Sequence, residues 1–417
     1  MFARNRYALA DQVVYSFGNM VVAALLSRHC AQREFGIYIL TQRSMDVVIQ
    51  LSNVFLWSPF AFNLPGTEKE HRPAYEGSIF LLQLVLCLCF TLLMIVLCRW
   101  AGTSTRSMYL GAFAPLVFAM GGILFREFTR RMYFAHMRLQ EAFWTDVATV
   151  GLQIVAVEWL YRMGKLDVAH TLPALCVGAV VVSLWWMLRD FGRIAIRFDR
   201  VVSDLRLNLR LGRWFLGTNM IYLVISQSNP WVLSSMLGSA SVGAYAVCES
   251  VVNIPRVALN SMQNIMGPVV ARAHDEGGKA EVRKVVRRLD RTLLAGASFC
   301  ALVVVVLGPC AARVIFNTVP ENAHLILILL SMNLVAFAAT LAQTFGLSAL
   351  GRADTTLYAN LIALLVQCAL CVGLVHRFGV AGAAGAMLLG NVAGIAARGL
   401  YYRKEMRIGS LSSLGDI

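Results

Sequence analysis

Long apolar runs recur along most of the chain, and short polar stretches separate them. Each run is about 20 residues long or longer, which is the length that an α-helix needs to cross the hydrocarbon core of a bilayer. The chain is therefore expected to be an all-α polytopic membrane protein. The pattern predicts twelve membrane-spanning helices, at residues 8–28, 36–62, 77–98, 108–127, 143–161, 171–189, 212–236, 242–268, 290–310, 323–347, 355–376 and 380–402.

Composition supports this fold class and limits the functions it can carry. Of 417 residues, 58% are hydrophobic and 14% are charged, whereas a soluble domain has about 25% charged residues. The predicted helices leave only short loops, so there is no room for a soluble catalytic domain. All seven histidines lie at predicted helix ends or in loops, and no phosphate-binding glycine loop occurs. We therefore expect no enzyme, no catalytic or metal site and no bound cofactor.

The basic residues predict the orientation in the membrane. Lys and Arg number 37 against 23 Asp and Glu, a net charge of +14. In alternate loops, 27 basic residues lie on the side that holds both termini and 8 on the opposite side, while Arg43 and Arg256 lie inside helices. Because cytoplasmic loops are rich in Lys and Arg, both termini are predicted to be cytoplasmic. This distribution favours topology over nucleic-acid binding as the origin of the positive charge.

The two halves of the chain repeat. A shift of 207 residues superposes Gly36-x-Tyr38 on Gly243-x-Tyr245, and a shift of 214 pairs Arg138 with Arg352, Asp146 with Asn360, and Gln153 with Gln367. Six helices per half is an even number, so the lobes share one orientation, with a pseudo-two-fold axis along the membrane normal and a cleft between them. The predicted parts are an N-lobe at 1–189, a cytoplasmic amphipathic linker at 190–211 and a C-lobe at 212–417.

Two cytoplasmic loops are predicted to form amphipathic helices. In residues 275–291, valines and a leucine recur at helical spacing opposite five basic residues, and residues 190–211 show a similar pattern. Such helices lie on an anionic membrane surface. A basic patch that attracts an anionic substrate is the alternative interpretation of these charges.

Polar residues form a stripe down each of two helices at corresponding places in the repeat. Lipid cannot solvate such stripes, so they either line a water-filled cavity or pair internally. The first hypothesis makes them substrate-binding residues; the second makes them packing networks, such as Arg43 with Asp46 or Glu249 with Arg256. The stripe on the second predicted helix consists of Arg43, Asp46, Gln50 and Asn53, and that on the eighth consists of Glu249, Asn253, Arg256, Asn260 and Gln263.

Three acids are candidates for cation coupling: Asp46, Asp146 and Asp11. The repeat partners of Asp46 and Asp146 are the amides Asn253 and Asn360. A coupling carboxylate for H⁺ or Na⁺ is therefore expected in the first half. Asp11 has the alternative role of capping a helix end.

Several motifs resemble those of the polysaccharide-transport branch of the multidrug/oligosaccharidyl-lipid/polysaccharide (MOP) flippases. They are Ala10-Asp11-Gln12 through Leu26-Ser27-Arg28, Glu34-Phe35-Gly36-x-Tyr38, Arg126-Glu127-Phe128-x-Arg130-Arg131-x-Tyr133-Phe134-Ala135, Leu237-Gly238-x4-Gly243-Ala244-Tyr245 and Phe378-Gly379-x-x-Gly382-Ala383-Ala384. The resemblance implies two six-helix lobes with a MATE-like MOP fold, and cationic cavity residues for which Arg43 and Arg256 are suitably placed.

The implied function is that of an O-antigen or exopolysaccharide flippase in the bacterial inner membrane. Its substrate would be an undecaprenyl-diphosphate-linked oligosaccharide moved outward by alternating access. The implied partners are this lipid-linked oligosaccharide, membrane lipids and polysaccharide polymerase or assembly proteins, with no nucleic acid. A cation-coupled multidrug antiporter of the same superfamily, a lipid II flippase and a non-transporting membrane scaffold are the alternatives.

Overall fold

The computed structural model describes residues 2–64, 67–100 and 103–412, and within these ranges it contains helices and no strand. The chain divides into two compact units, Met1–Asn219 and Met220–Ile417. The helices of the first unit are α1 (Phe2–His29), α2 (Gln32–Ser52), a π-helix (Asn53–Trp57), α3 (Ser58–Asn63), α4 (Arg72–Trp100), α5 (Thr103–Ala135), α6 (Leu139–Arg162), α7 (Val168–Asp190), a 3-10 turn (Phe191–Arg193) and the first part of α8 (Phe198–Leu237).

The second unit contains the rest of α8 and four further helices. They are α9 (Ser239–Phe316), α10 (Ala323–Ala349), α11 (Ala353–Phe378) and α12 (Val380–Ser412). α9 is broken at Gly277 and Gly278, whose backbone angles are not helical. Gly278 has φ +57° and ψ −150°, a conformation that is essentially restricted to glycine. The two parts of α9 contain the separate helices predicted at 242–268 and 290–310.

Seven described segments are long and apolar enough to cross a membrane: Arg72–Leu93, Val168–Asp190, Ser239–Asn260, Arg272–Phe316, Ala323–Ala349, Asp354–Phe378 and Val380–Glu405. Helices α1, α2 and α6 carry charged side chains near their middles, which lowers their hydropathy. Each of these three is still 21 residues long or longer, enough to span about 30 Å of hydrocarbon. The chain is a multi-pass membrane protein with an all-helical fold.

The predicted linker at residues 190–211 is not a separate surface helix. Its second half is the first part of α8, which continues without interruption to Leu237. Tyr75 on α4 donates its hydroxyl hydrogen to Asn208 Oδ1 at 2.6 Å, and Asn208 is fully buried. Val201 and Leu205 pack against a buried cluster of the first unit. One face of this stretch therefore has protein partners, and the boundary between the two units lies inside α8.

The apolar face of the helix predicted at 275–291 packs against other helices and not against lipid. Residues 279–291 form the start of the second part of α9, which we call the basic segment. Val282 and Val286 are 0% and 2% exposed. Val286 lies beside Gly346 on α10 and Tyr402 on α12. The apolar face is therefore covered by protein, while Arg283, Lys284, Arg287, Arg288 and Arg291 remain exposed.

Arg138 and Arg352, which correspond in the internal repeat, make similar contacts in the two halves. Arg138 precedes α6 and binds Asp190, the last residue of α7, at 2.9 Å. Arg352 precedes α11 and forms an ion pair with Glu405 near the end of α12. The residues before these arginines, Met137 and Gly351, both have positive φ. In both halves, a residue with positive φ thus comes before the arginine that precedes a helix. In both halves, this arginine binds an acid near the end of the next helix along the chain.

Candidate functional site

The first predicted stripe lies on α2 and continues into the π-helix. Arg43 Nη1 and Asp46 Oδ2 are 3.8 Å apart, and their side chains are 21% and 43% exposed. Gln50 is partly buried. Asn53 begins the π-helix and accepts a hydrogen bond from the Ser58 hydroxyl at 3.2 Å. Arg43 and Asp46 thus form an ion pair that remains open to its surroundings.

The π-helix carries Trp57, whose side chain contacts α4 and α5. The Trp57 indole N–H donates to Gln83 Oε1 on α4 at 3.1 Å. The guanidinium of Arg131 on α5 lies over the Trp57 ring, 5.4 Å from its centroid. Single-turn π-helices occur frequently at functional sites. Pro59 follows at once and lacks a backbone N–H, so a regular α-helical hydrogen-bond pattern cannot continue through this turn.

Three residues of the second stripe, Glu249, Asn253 and Arg256, line a pocket within the second unit. The pocket is small, with a volume of about 10 Å³, which is room for about one water molecule. Asn391 on α12 donates to Asn333 Oδ1 at 2.6 Å, and Asn229 on α8 donates to the Tyr245 hydroxyl oxygen at 3.3 Å. These contacts hold two lining side chains in place. The pocket is lined by Tyr245, Glu249, Val252, Asn253 and Arg256 of α9, Leu330, Asn333 and Leu334 of α10, and Met387 of α12.

Arg256 contacts an aromatic ring in this pocket. Its guanidinium lies over the Phe337 ring, 5.0 Å from the centroid. Arg256 forms no ion pair with any residue that the structure describes, so the Glu249–Arg256 packing pair considered from the sequence is not formed. The backbone stays helical through Pro255, since the non-helical angles of α9 are those of Gly277 and Gly278. The positive charge of Arg256 therefore faces a polar pocket from an unbroken stretch of helix.

Asn260 and Gln263 are the remaining residues of this stripe. Asn260 is exposed, one turn after Arg256. The side chain of Gln263 lies outside the described part of the structure, and its predicted role stays a prediction.

Two of the candidate coupling acids lie in a buried charge cluster that joins α1, α5 and α6. Asp11 and Asp146 are 1% and 0% exposed. Arg130 Nη2 binds Asp11 Oδ2 at 2.5 Å, and Arg130 Nε lies 2.9 Å from Asp146 Oδ2. Arg126 forms ion pairs with both Asp146 and Glu127. We call Asp11, Arg126, Glu127, Arg130 and Asp146 the buried charge cluster.

This cluster changes the interpretation of its acids. Asp11 lies in the middle of α1 and holds an arginine, so it does not cap a helix end. Asp146 is contacted by two guanidinium groups. The helix predicted at 108–127 ends eight residues later, at Ala135. The 27 basic residues assigned to loops on the terminal side include Arg126 and Arg130, but the longer helix buries both among acids. The signal for this cluster was the run of charges at 126, 127, 130 and 131, which continues the helical spacing.

The described residues contain no group of three His, Cys, Asp or Glu side chains that could hold a metal ion. Asp46 is the candidate coupling acid with the greatest exposure, at 43% of its side chain.

Comparison with known proteins gives a family and a fold. Residues 7–274 match the family described as polysaccharide biosynthesis protein. No curated protein sequence matches the chain. A multidrug resistance MATE transporter of the MOP superfamily in an inward-facing conformation superposes with a TM-score of 0.71 at 17% identity, over 98% of this chain and 96% of the other.

Two further solved structures are similar along nearly their whole length. The lipid II flippase MurJ in an inward closed conformation has a TM-score of 0.72 at 11% identity, over 99% of this chain and 91% of that one. A MOP superfamily transporter from Pyrococcus furiosus, whose binding pocket is described as having reversed polarity, has a TM-score of 0.67 at 16% identity, over 98% and 96%. At these identities the likeness shows the fold: the MOP architecture expected from the sequence motifs is confirmed.

Proposed function

Since this chain belongs to the polysaccharide biosynthesis protein family, we propose that it is a flippase for a lipid-linked oligosaccharide. The proposed substrate is an undecaprenyl-diphosphate-linked repeat unit of an O-antigen or exopolysaccharide. The protein moves it outward across the bacterial inner membrane by alternating access. One protein of the same fold is a lipid II flippase, which supports a lipid-linked saccharide as a cargo that this fold accommodates.

The main support for the proposal is the position of Arg256 in the pocket of the second unit. A lipid diphosphate brings negative charge into surroundings of low dielectric, where an unpaired charge is costly. A guanidinium stays protonated at any working pH and binds two phosphate oxygens at once. Arg256 is held by stacking on Phe337 and forms no ion pair with a described residue. No acid in the described part of the chain therefore competes with a phosphate for its donors.

The other pocket residues suit the saccharide. Asn253 offers donors and an acceptor to sugar hydroxyls, and Glu249 adds a carboxylate. Asn333 accepts from Asn391, which leaves its amide hydrogens as donors. The Tyr245 ring adds an apolar face. This mixture of one cation, one acid and two amides matches a polar, neutral glycan next to an anionic linker better than a cationic drug. It therefore favours the flippase over the multidrug antiporter.

We also propose that Asp46 is the acid through which H⁺ or Na⁺ coupling acts, if transport is coupled. Asp46 is 43% exposed and 3.8 Å from Arg43, so its carboxylate is not enclosed by protein. Asp11 and Asp146 are buried and held by arginines. These contacts support a structural role for the two buried acids and leave Asp46 as the accessible carboxylate.

The orientation with both termini in the cytoplasm belongs to the same proposal. If Arg126 and Arg130 are taken out of the loop count because they lie in the buried charge cluster, 25 basic residues remain on the terminal side against 8 on the other. The asymmetry therefore survives the correction. A diphosphate-linked glycan assembled in the cytoplasm would then meet the more basic side of the protein first.

Deletion of the gene in its native host tests the proposal. The strain is expected to lose surface polysaccharide and to accumulate the undecaprenyl-diphosphate-linked repeat unit, and the intact gene is expected to restore both. Accumulation of lipid II with cell lysis would support the lipid II flippase instead. Normal polysaccharide with increased sensitivity to cationic drugs would support the multidrug antiporter. Either result would overturn the proposed substrate.

A further inference from the structure

The basic segment continues without a break into a membrane-spanning helix. Beyond Gly278 the backbone of α9 is helical from Lys279 to Phe316. Between Arg291 and Arg313 this helix carries no charged residue. At about 1.5 Å per residue the two arginines are about 33 Å apart, which matches the hydrocarbon core of about 30 Å. Arg291 therefore lies at one edge of the hydrocarbon core, and Arg313 lies at the other.

Three arginines of the basic segment lie at the depth of the lipid headgroups. The polar layer on each side of the hydrocarbon core is about 5–8 Å thick. Along the helix axis, Arg288 is about 4.5 Å and Arg287 is about 6 Å beyond Arg291. All three side chains are exposed. Lys284 and Arg283 follow about one turn further out, towards water.

The exposed face of this helix changes from basic to apolar at the edge of the hydrocarbon core. Positions 288, 291, 295, 299, 302 and 306 follow one another at intervals of three or four residues, so they share one face. On this face Phe299, Leu302 and Val306 are 68%, 63% and 63% exposed. Val286, on the opposite face, lies beside α10 and α12. The exposed face therefore offers an apolar surface to acyl chains, directly next to guanidinium groups.

The positive charge of the basic segment is only partly neutralised within the protein. Residues 279–291 contain six basic and two acidic residues. Of the acids, Glu281 binds Lys284, with 2.9 Å between Oε2 and Nζ, and Asp290 is partly buried. The three arginines at headgroup depth form no ion pair with any residue in the described part of the chain. A cluster of basic residues at the edge of a membrane attracts anionic lipids.

We propose that the exposed face of residues 287–306 is a binding surface for acidic phospholipids of the surrounding membrane, of the phosphatidylglycerol class. The lipid phosphate binds among Arg287, Arg288 and Arg291, since guanidinium groups form strong hydrogen bonds with phosphate oxygens. An acyl chain of the same lipid lies along the apolar part of the face. A soluble anion would use only the basic part, and a neutral lipid would use only the apolar part. This surface is separate from the pocket at Arg256 and does not depend on the proposed substrate.

Native mass spectrometry of the purified full-length protein in a neutral detergent tests this surface. The wild type is expected to bind phosphatidylglycerol more tightly than phosphatidylcholine, whose headgroup has no net charge. Each basic residue near an anionic lipid contributes about fivefold in affinity, so the double variant Arg288→Gln/Arg291→Gln is expected to bind phosphatidylglycerol about 25-fold more weakly. Arg162→Gln/Lys165→Gln removes two exposed basic residues from the first unit. It is the matched control and is expected to keep the wild-type affinity.

Equal affinities of the wild type for the two lipids, or equal losses in the two double variants, would overturn the proposal. Undecaprenyl phosphate is the third ligand, because it also joins a phosphate to an apolar chain. If loss of Arg288 and Arg291 weakens its binding but leaves phosphatidylglycerol binding unchanged, the surface binds the carrier lipid and the proposal is wrong. If the double variant does not fold, the wild type is measured at rising ionic strength. Its preference for phosphatidylglycerol is expected to fall, because salt screens exposed charges; a preference independent of salt contradicts the proposal.

Discussion

Replacing Asp146 with asparagine tests whether the buried charge cluster holds α1, α5 and α6 together. Asp146 is fully buried and lies between Arg126 and Arg130. The substitution keeps the size of the side chain but leaves two guanidinium groups with one acid fewer. Removing one partner of a buried ion pair costs about 3–5 kcal/mol. For a unit of roughly 200 residues this corresponds to a fall in melting temperature of about 6–20 °C.

The matched control lies on the same helix. Glu158 pairs with Arg162 at 2.9 Å, and their side chains are 39% and 75% exposed. An exposed pair of this kind contributes about 0–1 kcal/mol, so Glu158→Gln is expected to lower the melting temperature by less than about 4 °C. Thermal unfolding in detergent, followed by tryptophan fluorescence, measures both variants. Equal shifts for Asp146→Asn and Glu158→Gln would refute the idea that the cluster stabilises the first unit.

Three further predictions concern the pocket, the coupling acid and the break in α9. Arg256→Lys and Arg256→Ala are both expected to lose most glycan export at wild-type protein levels, because an ammonium cannot bind phosphate oxygens bidentately; near-normal export by both would contradict the diphosphate contact. Asp46→Asn is expected to fold normally, since its ion pair is exposed, and to lose any dependence of export on a proton or sodium gradient; an unchanged gradient dependence would exclude Asp46 from coupling. Gly278→Ala is expected to lower stability by about 1–3 kcal/mol in thermal unfolding, because its backbone conformation is one that alanine rarely adopts; an unchanged melting temperature would mean that the break relaxes without strain.

The positions of the helices could be predicted well from hydrophobic runs, because the requirement to span a bilayer leaves a strong signal in sequence. The ends of the helices could not be predicted in this way. α5 continues to Ala135 and α8 begins at Phe198, since a helix goes on into polar sequence when its side chains find partners in the protein. The apolar run ends at the membrane surface, whereas the helix ends where the hydrogen bonding stops.

The candidate site could also be predicted only in part from the sequence. Glu249, Asn253 and Arg256 could be assigned to one face from their spacing, and they do line one pocket. Phe337 could not be identified as the partner of Arg256, because it lies on another helix and no sequence period links the two. The Arg130–Asp11 pair is likewise formed across 119 residues. Such contacts depend on how helices pack, which single-helix patterns do not contain.

Reconstituted transport tests the central claim most directly. Undecaprenyl-diphosphate-linked oligosaccharide is incorporated into both leaflets of liposomes with or without the purified protein, and a glycosidase that cannot cross the membrane is added outside. Without the protein, about half of the glycan is expected to stay protected in the inner leaflet. With the wild type we predict that nearly all of it becomes cleavable, and that Arg256→Ala restores the protection. Protection of half the glycan in wild-type liposomes, while the vesicles remain sealed, would contradict the account.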